Sequence, residues 1–169
     1  MSKAKIAISV GDLNGVGFEI ALKSHEQVSK LCEPIYCSNS SLTLQAANLL
    51  QMDVPSSFTT SHVDGDFSIK AGEVSKDAGR YSYNSFMRAI ELCESKSADA
   101  LVTMPIHKEA WKLAGLDFVG HTDLLRQYFK EDAIMMLGCR EMYVALFTEH
   151  IPLRDVANSI ETEKLAKFL

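Results

Sequence analysis

Residues 5–17 read KIAISVGDLNGVG, and this stretch decides the class of fold. Residues 5–10 are a short apolar run rich in β-branched side chains, which stops at Gly11 and is typical of a buried strand. After the glycine-containing loop, residues 18–31 (FEIALKSHEQVSKL) have the pattern of a helix. A buried strand, a tight loop and a helix in this order predict the first unit of an α/β fold.

The rest of the chain continues this alternation. Strands are predicted at 34–38, 98–105, 132–138 and 141–150. Helices are predicted at 42–52, 107–115, 123–130 and 162–169, with one more around the amphipathic set Phe86, Ala89, Ile90 and Cys93. Residues 55–79 lack clear periodicity and are predicted to form a long excursion or a small irregular sheet. The expected fold class is therefore α/β, a mostly parallel sheet flanked by helices.

Composition narrows the class of protein further. The chain has 169 residues, of which 47% are apolar and 23% charged, as in an ordinary globular protein. A formal net charge of −5 argues against a general nucleic-acid or membrane-surface binder. No apolar stretch is long enough to span a membrane, and no CxxC pair occurs, so a cytoplasmic protein with reduced thiols is expected.

The last predicted helix is relevant to the question of whether residues 1–169 make up a complete fold. Thr162 is a good N-cap, and Leu165, Phe168 and Leu169 begin an apolar stripe that reaches the end of the chain. Either this helix docks back on the fold, or the sequence is cut inside a larger fold, and we favour the second interpretation. The sequence indicates no internal boundary.

The loop at 11–17 is the first candidate site. It lies between a strand and a helix, where free backbone N–H groups attract anions. The spacing of Gly11, Gly15 and Gly17 matches neither a dinucleotide-binding fingerprint nor a P-loop. A ligand-binding loop and a tight structural turn remain equally good interpretations, and Asp12 and Asn14 at a strand end favour the first slightly.

Three further strand ends or helix starts carry polar side chains. In residues 102–108 (VTMPIHK), Lys108 can meet a phosphate, the alternative being a solvated helix start. At Gly120–Asp123, His121 and Thr122 stand at a predicted helix start that Thr122 would cap, where a structural histidine is the alternative. At 148–152, His150 can ligate a metal, but one histidine makes no site.

Taken together and in order, these segments resemble the 4-hydroxythreonine-4-phosphate dehydrogenase family of vitamin B6 biosynthesis. The resemblance rests on GDLNGVGFEIALK, LVTMPIHKEAW, FVGHTDLL and IMMLGCREMYVALFTEHIPLRDV, and it runs from about residue 6 to the last residue. Local departures include Leu13, Asn14 and Phe18 in the first loop, and Glu149 where the family usually has threonine.

The resemblance implies a function, a fold and site residues. It implies an isocitrate/isopropylmalate dehydrogenase-like fold with an incomplete second half, so that residues 1–169 are the N-terminal portion of a two-domain dehydrogenase. It also implies a homodimer with its site at the subunit interface. It implies NAD(P)-dependent oxidation, with decarboxylation, of a phosphorylated amino acid, 4-phosphohydroxy-L-threonine, assisted by a divalent metal (Zn, Mg or Co). His121 and Thr122 then contact substrate, and His150 ligates the metal. The alternative is a non-catalytic phosphate-binding or assembly module.

Overall fold

The computed structural model describes residues 3–169, which divide into two compact units, one ending at Phe118 and the other beginning at Val119. The first unit contains β1 (Lys5–Ser9), α1 (Gly17–Leu31), β2 (Glu33–Cys37), α2 (Ser40–Leu49), β3 (Thr59–Ser61), α3 (Lys76–Glu94), β4 (Ala100–Thr103) and α4 (Lys108–Leu113). The second contains α5 (His121–Phe129), β5 (Met136–Gly138), β6 (Tyr143–Ala145), a 3-10 turn (Leu153–Asp155), α6 (Val156–Ser159) and α7 (Thr162–Phe168).

The sheet of the first unit is parallel throughout, which confirms the predicted fold class. Its strand order is β3-β2-β1-β4, and Ile8 of β1 lies opposite Tyr36 of β2 and Val102 of β4. The chain adds β2 and β3 on one side of β1 and then returns to place β4 on the other side. The direction of winding therefore reverses between β1 and β4, and open α/β sheets bind ligands at such a switch point.

Polar side chains define where two of the helices begin. Asn39 accepts a hydrogen bond from the backbone N–H of Leu42 at 2.9 Å and caps α2. Ser75 accepts one from the backbone N–H of Ala78 at 3.2 Å and caps α3. Helix α3 thus begins at Lys76 and takes in the last residues of the predicted excursion.

The core packs the sheet between helices. The rings of Tyr36 and Phe58 stack at 3.7 Å between centroids, and both side chains are buried. The buried hydroxyl of Ser85, on α3, donates to the carbonyl oxygen of Cys37 at 2.7 Å and accepts from the backbone N–H of Val10 at 2.9 Å. Helix α3 is therefore hydrogen-bonded to the chain at the ends of both central strands.

The irregular segment 62–75 is fastened by three amide side chains. Asn39 donates to the carbonyl oxygens of Val63 and Gly65, and Gln45 donates to that of Phe67. Asn14 holds the end of the segment, as described below. The predicted excursion at 55–79 is thus a short parallel strand, β3, followed by a loop whose backbone groups are bound by side chains.

In the second unit, the predicted strands are shorter than expected. The predictions at 132–138 and 141–150 reduce to β5 and β6, an antiparallel pair whose residues are all exposed. Of residues 119–169, all of which the structure describes, only Leu124 is buried. A two-stranded hairpin that buries no apolar face is only marginally stable, so nothing stabilises the longer strands.

Two cap predictions in the second unit are wrong. Helix α5 begins at His121 with Gly120 at the cap position, so Thr122 lies inside the helix. Helix α7 begins at Thr162, and Glu161 is its cap residue. Within residues 3–169, no helix is both long and apolar enough to cross a membrane.

Candidate functional site

The loops that follow β1 and β4 cross in direct contact at the switch point. The backbone N–H of Asp12 donates to the carbonyl oxygen of Pro105 at 2.9 Å, and that of Met104 donates to Ser9 at 3.0 Å. Gly11 has a φ of +65°, and a Cβ there would lie 2.2 Å from the Pro105 oxygen. Only glycine fits this close approach. Two of the segments singled out in the sequence are therefore brought together.

The first loop is a structural turn rather than a phosphate cradle. The N–H of Asn14 donates to the Asp12 carboxylate at 3.0 Å, and that of Gly15 donates to the Asp12 carbonyl at 3.0 Å. With the N–H of Asp12 bound to Pro105, three backbone donors of the loop are occupied by the protein itself. An anion cradle needs such donors to point outward unpaired.

Asp12 is the acidic side chain at the contact between the loops that follow β1 and β4. Its side chain is buried, and this burial raises the pKa of the carboxyl above its ordinary value. The hydrogen bond from the backbone of Asn14 and the positive charge of His107 act in the opposite direction. His107, just after β4, is thus an electrostatic neighbour of Asp12, and both His107 and Lys108 are exposed.

A buried hydroxyl ends β1 beside this crossing. Ser9 is 1% exposed, and its Oγ has no hydrogen-bond partner among residues 3–169. Burying a hydroxyl without a partner costs about 1–3 kcal/mol. The carboxyl edge of the sheet thus carries one polar group that the described part of the protein leaves unsatisfied.

Helix α5 presents the two predicted substrate contacts in its first turn. His121 and Thr122 are both half-buried. Burial lowers the pKa of the His121 imidazole, because the protein around it disfavours the charged form. At neutral pH His121 is therefore a neutral ring that donates and accepts hydrogen bonds.

The same helix contacts the segment that carries His150. Arg126 of α5 donates to the Glu149 carboxylate and, at 2.9 Å, to the carbonyl oxygen of Ala133. The other oxygen of Glu149, Oε2, is buried and has no partner among residues 3–169. His150 itself is exposed and has a φ of +56°, the left-handed region that non-glycine residues seldom adopt.

Arg126 is the residue that sequence reasoning missed. The sequence around Arg126 does not indicate a contact with Glu149, because the two residues are 23 positions apart and meet only through the tertiary fold. Arg126 and Glu149 also line a cavity of about 670 Å³ within the second unit. His121, Thr122 and His150 are not among the lining residues.

A divalent metal does not fit the described residues alone. His150 supplies a suitable imidazole, but residues 3–169 contain no group of three or more His, Cys, Asp or Glu side chains that could hold an ion. A catalytic metal usually takes about three protein ligands.

The fold and the crossing loops define an α/β protein whose polar groups gather at the carboxyl edge of a parallel sheet. Comparison with known proteins narrows this class. Residues 30–169 match the family described as "Pyridoxal phosphate biosynthetic protein PdxA". The chain belongs to this family.

Individual relatives agree with the family match. The chain is 67% identical over 168 residues to the 4-hydroxythreonine-4-phosphate dehydrogenase of Sulfurimonas denitrificans, and 54% identical over 169 residues to that of Campylobacter fetus. These alignments cover 99% and 100% of this chain but 55% of each relative. The chain thus spans about half the length of the curated relatives it matches.

A solved structure shows the same fold. The crystal structure of a 4-hydroxythreonine-4-phosphate dehydrogenase from Burkholderia phymatum aligns with a TM-score of 0.86 at 27% identity. The alignment covers 99% of this chain and 56% of the other. The resemblance found in the sequence is confirmed by both comparisons.

Proposed function

We propose that the complete protein to which this chain belongs is an NAD(P)-dependent oxidoreductase of pyridoxal phosphate biosynthesis. Its substrate is 4-phosphohydroxy-L-threonine, which it oxidises with decarboxylation. The observation that carries the proposal is the 67% identity, over 168 residues, to a relative named for this activity.

In this proposal, His121 and Thr122 bind the substrate. A neutral imidazole and a hydroxyl in the first turn of α5 contact the phosphate or the polar backbone of the substrate through hydrogen bonds rather than charge. Because burial lowers its pKa, the His121 ring can make such contacts as a neutral donor and acceptor. His150 supplies one ligand of a divalent metal (Zn, Mg or Co), and the other ligands lie outside residues 3–169.

Assembly and location complete the proposal. The protein acts as a cytoplasmic homodimer with its site at the subunit interface. The 169 residues form the N-terminal portion of a two-domain dehydrogenase, and alone they do not turn over substrate because their metal ligand set is incomplete. Losing part of the support around a catalytic metal already costs about 10–100-fold in affinity or activity.

The test compares the complete protein with the 169-residue chain. Reduction of NAD is followed with 4-phosphohydroxy-L-threonine and added divalent metal. We expect turnover by the complete protein, a large loss of kcat/KM in His121→Ala with little loss of thermal stability, and no turnover by the 169-residue chain. Equal losses of activity and stability would make His121 structural, and a complete protein without turnover would favour a non-catalytic module.

A further inference from the structure

We propose that Arg126 is a positioning residue: through its ion pair with Glu149, it holds helix α5 in the orientation in which His121 and Thr122 contact the substrate. This inference rests on the proposed function, because it takes His121 and Thr122 as the substrate contacts. It adds two residues to the set that the sequence patterns assign to the site. All four residues lie in the second compact unit.

Helix α5 depends on contacts with the rest of the unit for its position. It has nine residues, and isolated helices shorter than about 12 residues are only marginally stable in water. Its cap residue is Gly120, which has no side chain to cap the first turn, where His121 and Thr122 lie. Asp123 accepts from the backbone N–H of Val119 at 3.0 Å, but both residues belong to this same end of the helix. Capping alone therefore does not fix the first turn in space.

Arg126 is one of two anchors on different faces of α5. Leu124 is buried, and Arg126 lies two residues further on, where a helical side chain points to a different face. A single buried side chain would let a short helix rotate about its axis, and a second contact on another face prevents this rotation. Arg126 also lies one turn after Thr122 on the same face, so that holding Arg126 fixes the direction of Thr122.

The contacts of Arg126 reach two other segments of the unit. Its Nη2 donates to the carbonyl oxygen of Ala133 at 2.9 Å and to the Glu149 carboxylate. The Glu149 side chain is 16% exposed, and a carboxylate this buried needs a charged partner. Its Oε2 is buried and has no partner among residues 3–169, so the carboxylate depends on the bond between Oε1 and Arg126.

Glu149 connects α5 to the segment that carries His150. The φ of His150, +56°, lies in the left-handed region, and such a conformation persists only where neighbouring contacts hold it. The bond of Glu149 to Arg126 is such a contact. Glu149 also departs from the threonine that is usual in the family, and threonine cannot form an ion pair with Arg126. The pair therefore joins the two segments of the unit that carry predicted site residues.

The test uses the complete protein and measures kcat and KM for the phosphorylated substrate and for the dinucleotide. We expect Arg126→Met to lower kcat/KM for the substrate by about 10–100-fold, through a raised KM as well as a lowered kcat, because a displacement of about 1 Å can cost about 100-fold. The KM for the dinucleotide should stay the same. A merely structural role would reduce the amount of folded enzyme, and so would lower kcat without changing either KM.

Matched variants separate the ion pair from other effects. Gln127→Met is the control, since Gln127 is the next residue of the same helix and bonds within it, to Asp123 at 3.3 Å, and it should change neither constant. Arg126→Lys keeps a charged donor and should recover part of the loss. Glu149→Gln keeps an acceptor for Arg126 and should retain more kcat/KM than Glu149→Ala. If the two residues act as a unit, combining Arg126→Met with Glu149→Ala should cost no more than the worse single variant.

Hydrogen exchange of the complete protein gives a readout that does not depend on turnover. The backbone amides of residues 124–129 should exchange faster in Arg126→Met than in Gln127→Met. Equal exchange in these variants, or a kcat/KM that Arg126→Met leaves unchanged, would overturn this inference and leave the proposed function intact. If Arg126→Met does not fold, equal kcat/KM in Glu149→Gln and Glu149→Ala would overturn it instead. An unaltered complete protein without turnover would overturn the proposed function and this inference with it.

Discussion

Asn14 Nδ2 lies 2.8 Å from the carbonyl oxygen of Glu73 and donates a hydrogen bond to it. The side-chain oxygen of Asn14 accepts from the backbone N–H of Lys70 at 2.9 Å, and its backbone oxygen accepts from Gly72 at 2.8 Å. One residue of the first loop thus binds the end of the irregular segment 62–75 on both its donor and its acceptor sides.

Replacing Asn14 should destabilise the first unit. Asn14→Ala leaves the backbone groups of Lys70 and Glu73 without partners, and we expect a loss of about 2–3 kcal/mol in the free energy of unfolding. Urea denaturation measures it. Asn84→Ala is the control, because Asn84 makes one longer bond, 3.4 Å, to Asp64. Equal losses in the two variants would show that the hydrogen bonds of Asn14 stabilise the protein no more than the single long bond of Asn84.

Gly11 and Gly115 offer a comparison of two glycines with positive φ. A Cβ at Gly11 would meet the Pro105 oxygen at 2.2 Å, whereas a Cβ at Gly115 would have no atom within 4 Å. We expect Gly115→Ala to cost about 1–2 kcal/mol, the backbone conformation alone. Gly11→Ala should cost about 3 kcal/mol or more, because the overlap with Pro105 adds to this cost. Similar midpoints of thermal unfolding for both variants would contradict the observed crossing.

His25 makes the stability of the first unit depend on pH. The buried ring bonds to the Tyr36 hydroxyl at 3.1 Å and to Ser57 Oγ at 2.9 Å, and burial lowers the pKa of His25. The unfolded chain then binds a proton more readily than the folded one. Stability is therefore complete above about pH 6.5, the ordinary pKa of histidine, and falls as the pH drops below it.

The variant His25→Gln tests this dependence. It should be less stable at neutral pH but should show a flatter dependence between about pH 7 and pH 5, the range in which histidine titrates. The pKa of His121 is also lowered, so His121→Gln must be measured beside it. If the unfolding free energy changes with pH equally steeply in His25→Gln and in the unaltered chain, His25 is not the origin of the pH dependence.

The ion pair between Arg126 and Glu149 should stabilise the second unit. The Glu149 side chain is 16% exposed, so Arg126→Met leaves a carboxylate that is mostly buried without its partner. We expect a loss of about 1–2 kcal/mol, between the values for surface and buried pairs. Lys164→Met breaks an exposed pair with Glu161 and should cost less than about 0.5 kcal/mol. Urea titration of both variants would detect the difference, and equal costs would argue against the pair.

Local patterns predicted the elements whose stability is local. The strand at 5–10 and the helix after it follow from the pattern of apolar residues, and the structure confirms both. The roles of Asn14 and Arg126 could not be predicted, since their partners come from distant parts of the chain. The boundary between the two compact units, after Phe118, could not be predicted either, because neither the composition nor the charge of the sequence changes there.

The crossing of Gly11 with Pro105 also bears on the order in which the molecule folds. Strands β1, β2 and β3 pair with near neighbours in sequence, whereas β4 can reach β1 only after the whole of α3 has been synthesised. Contacts between distant segments require a larger loss of chain entropy to close the loop between them. This loss occurs before any contact energy is gained. A nascent chain that ends before Ala100 can therefore build three strands of this sheet while the carboxyl edge still lacks the loop that carries His107. The pairing of β4 with β1 both completes the sheet and places that loop at its carboxyl edge.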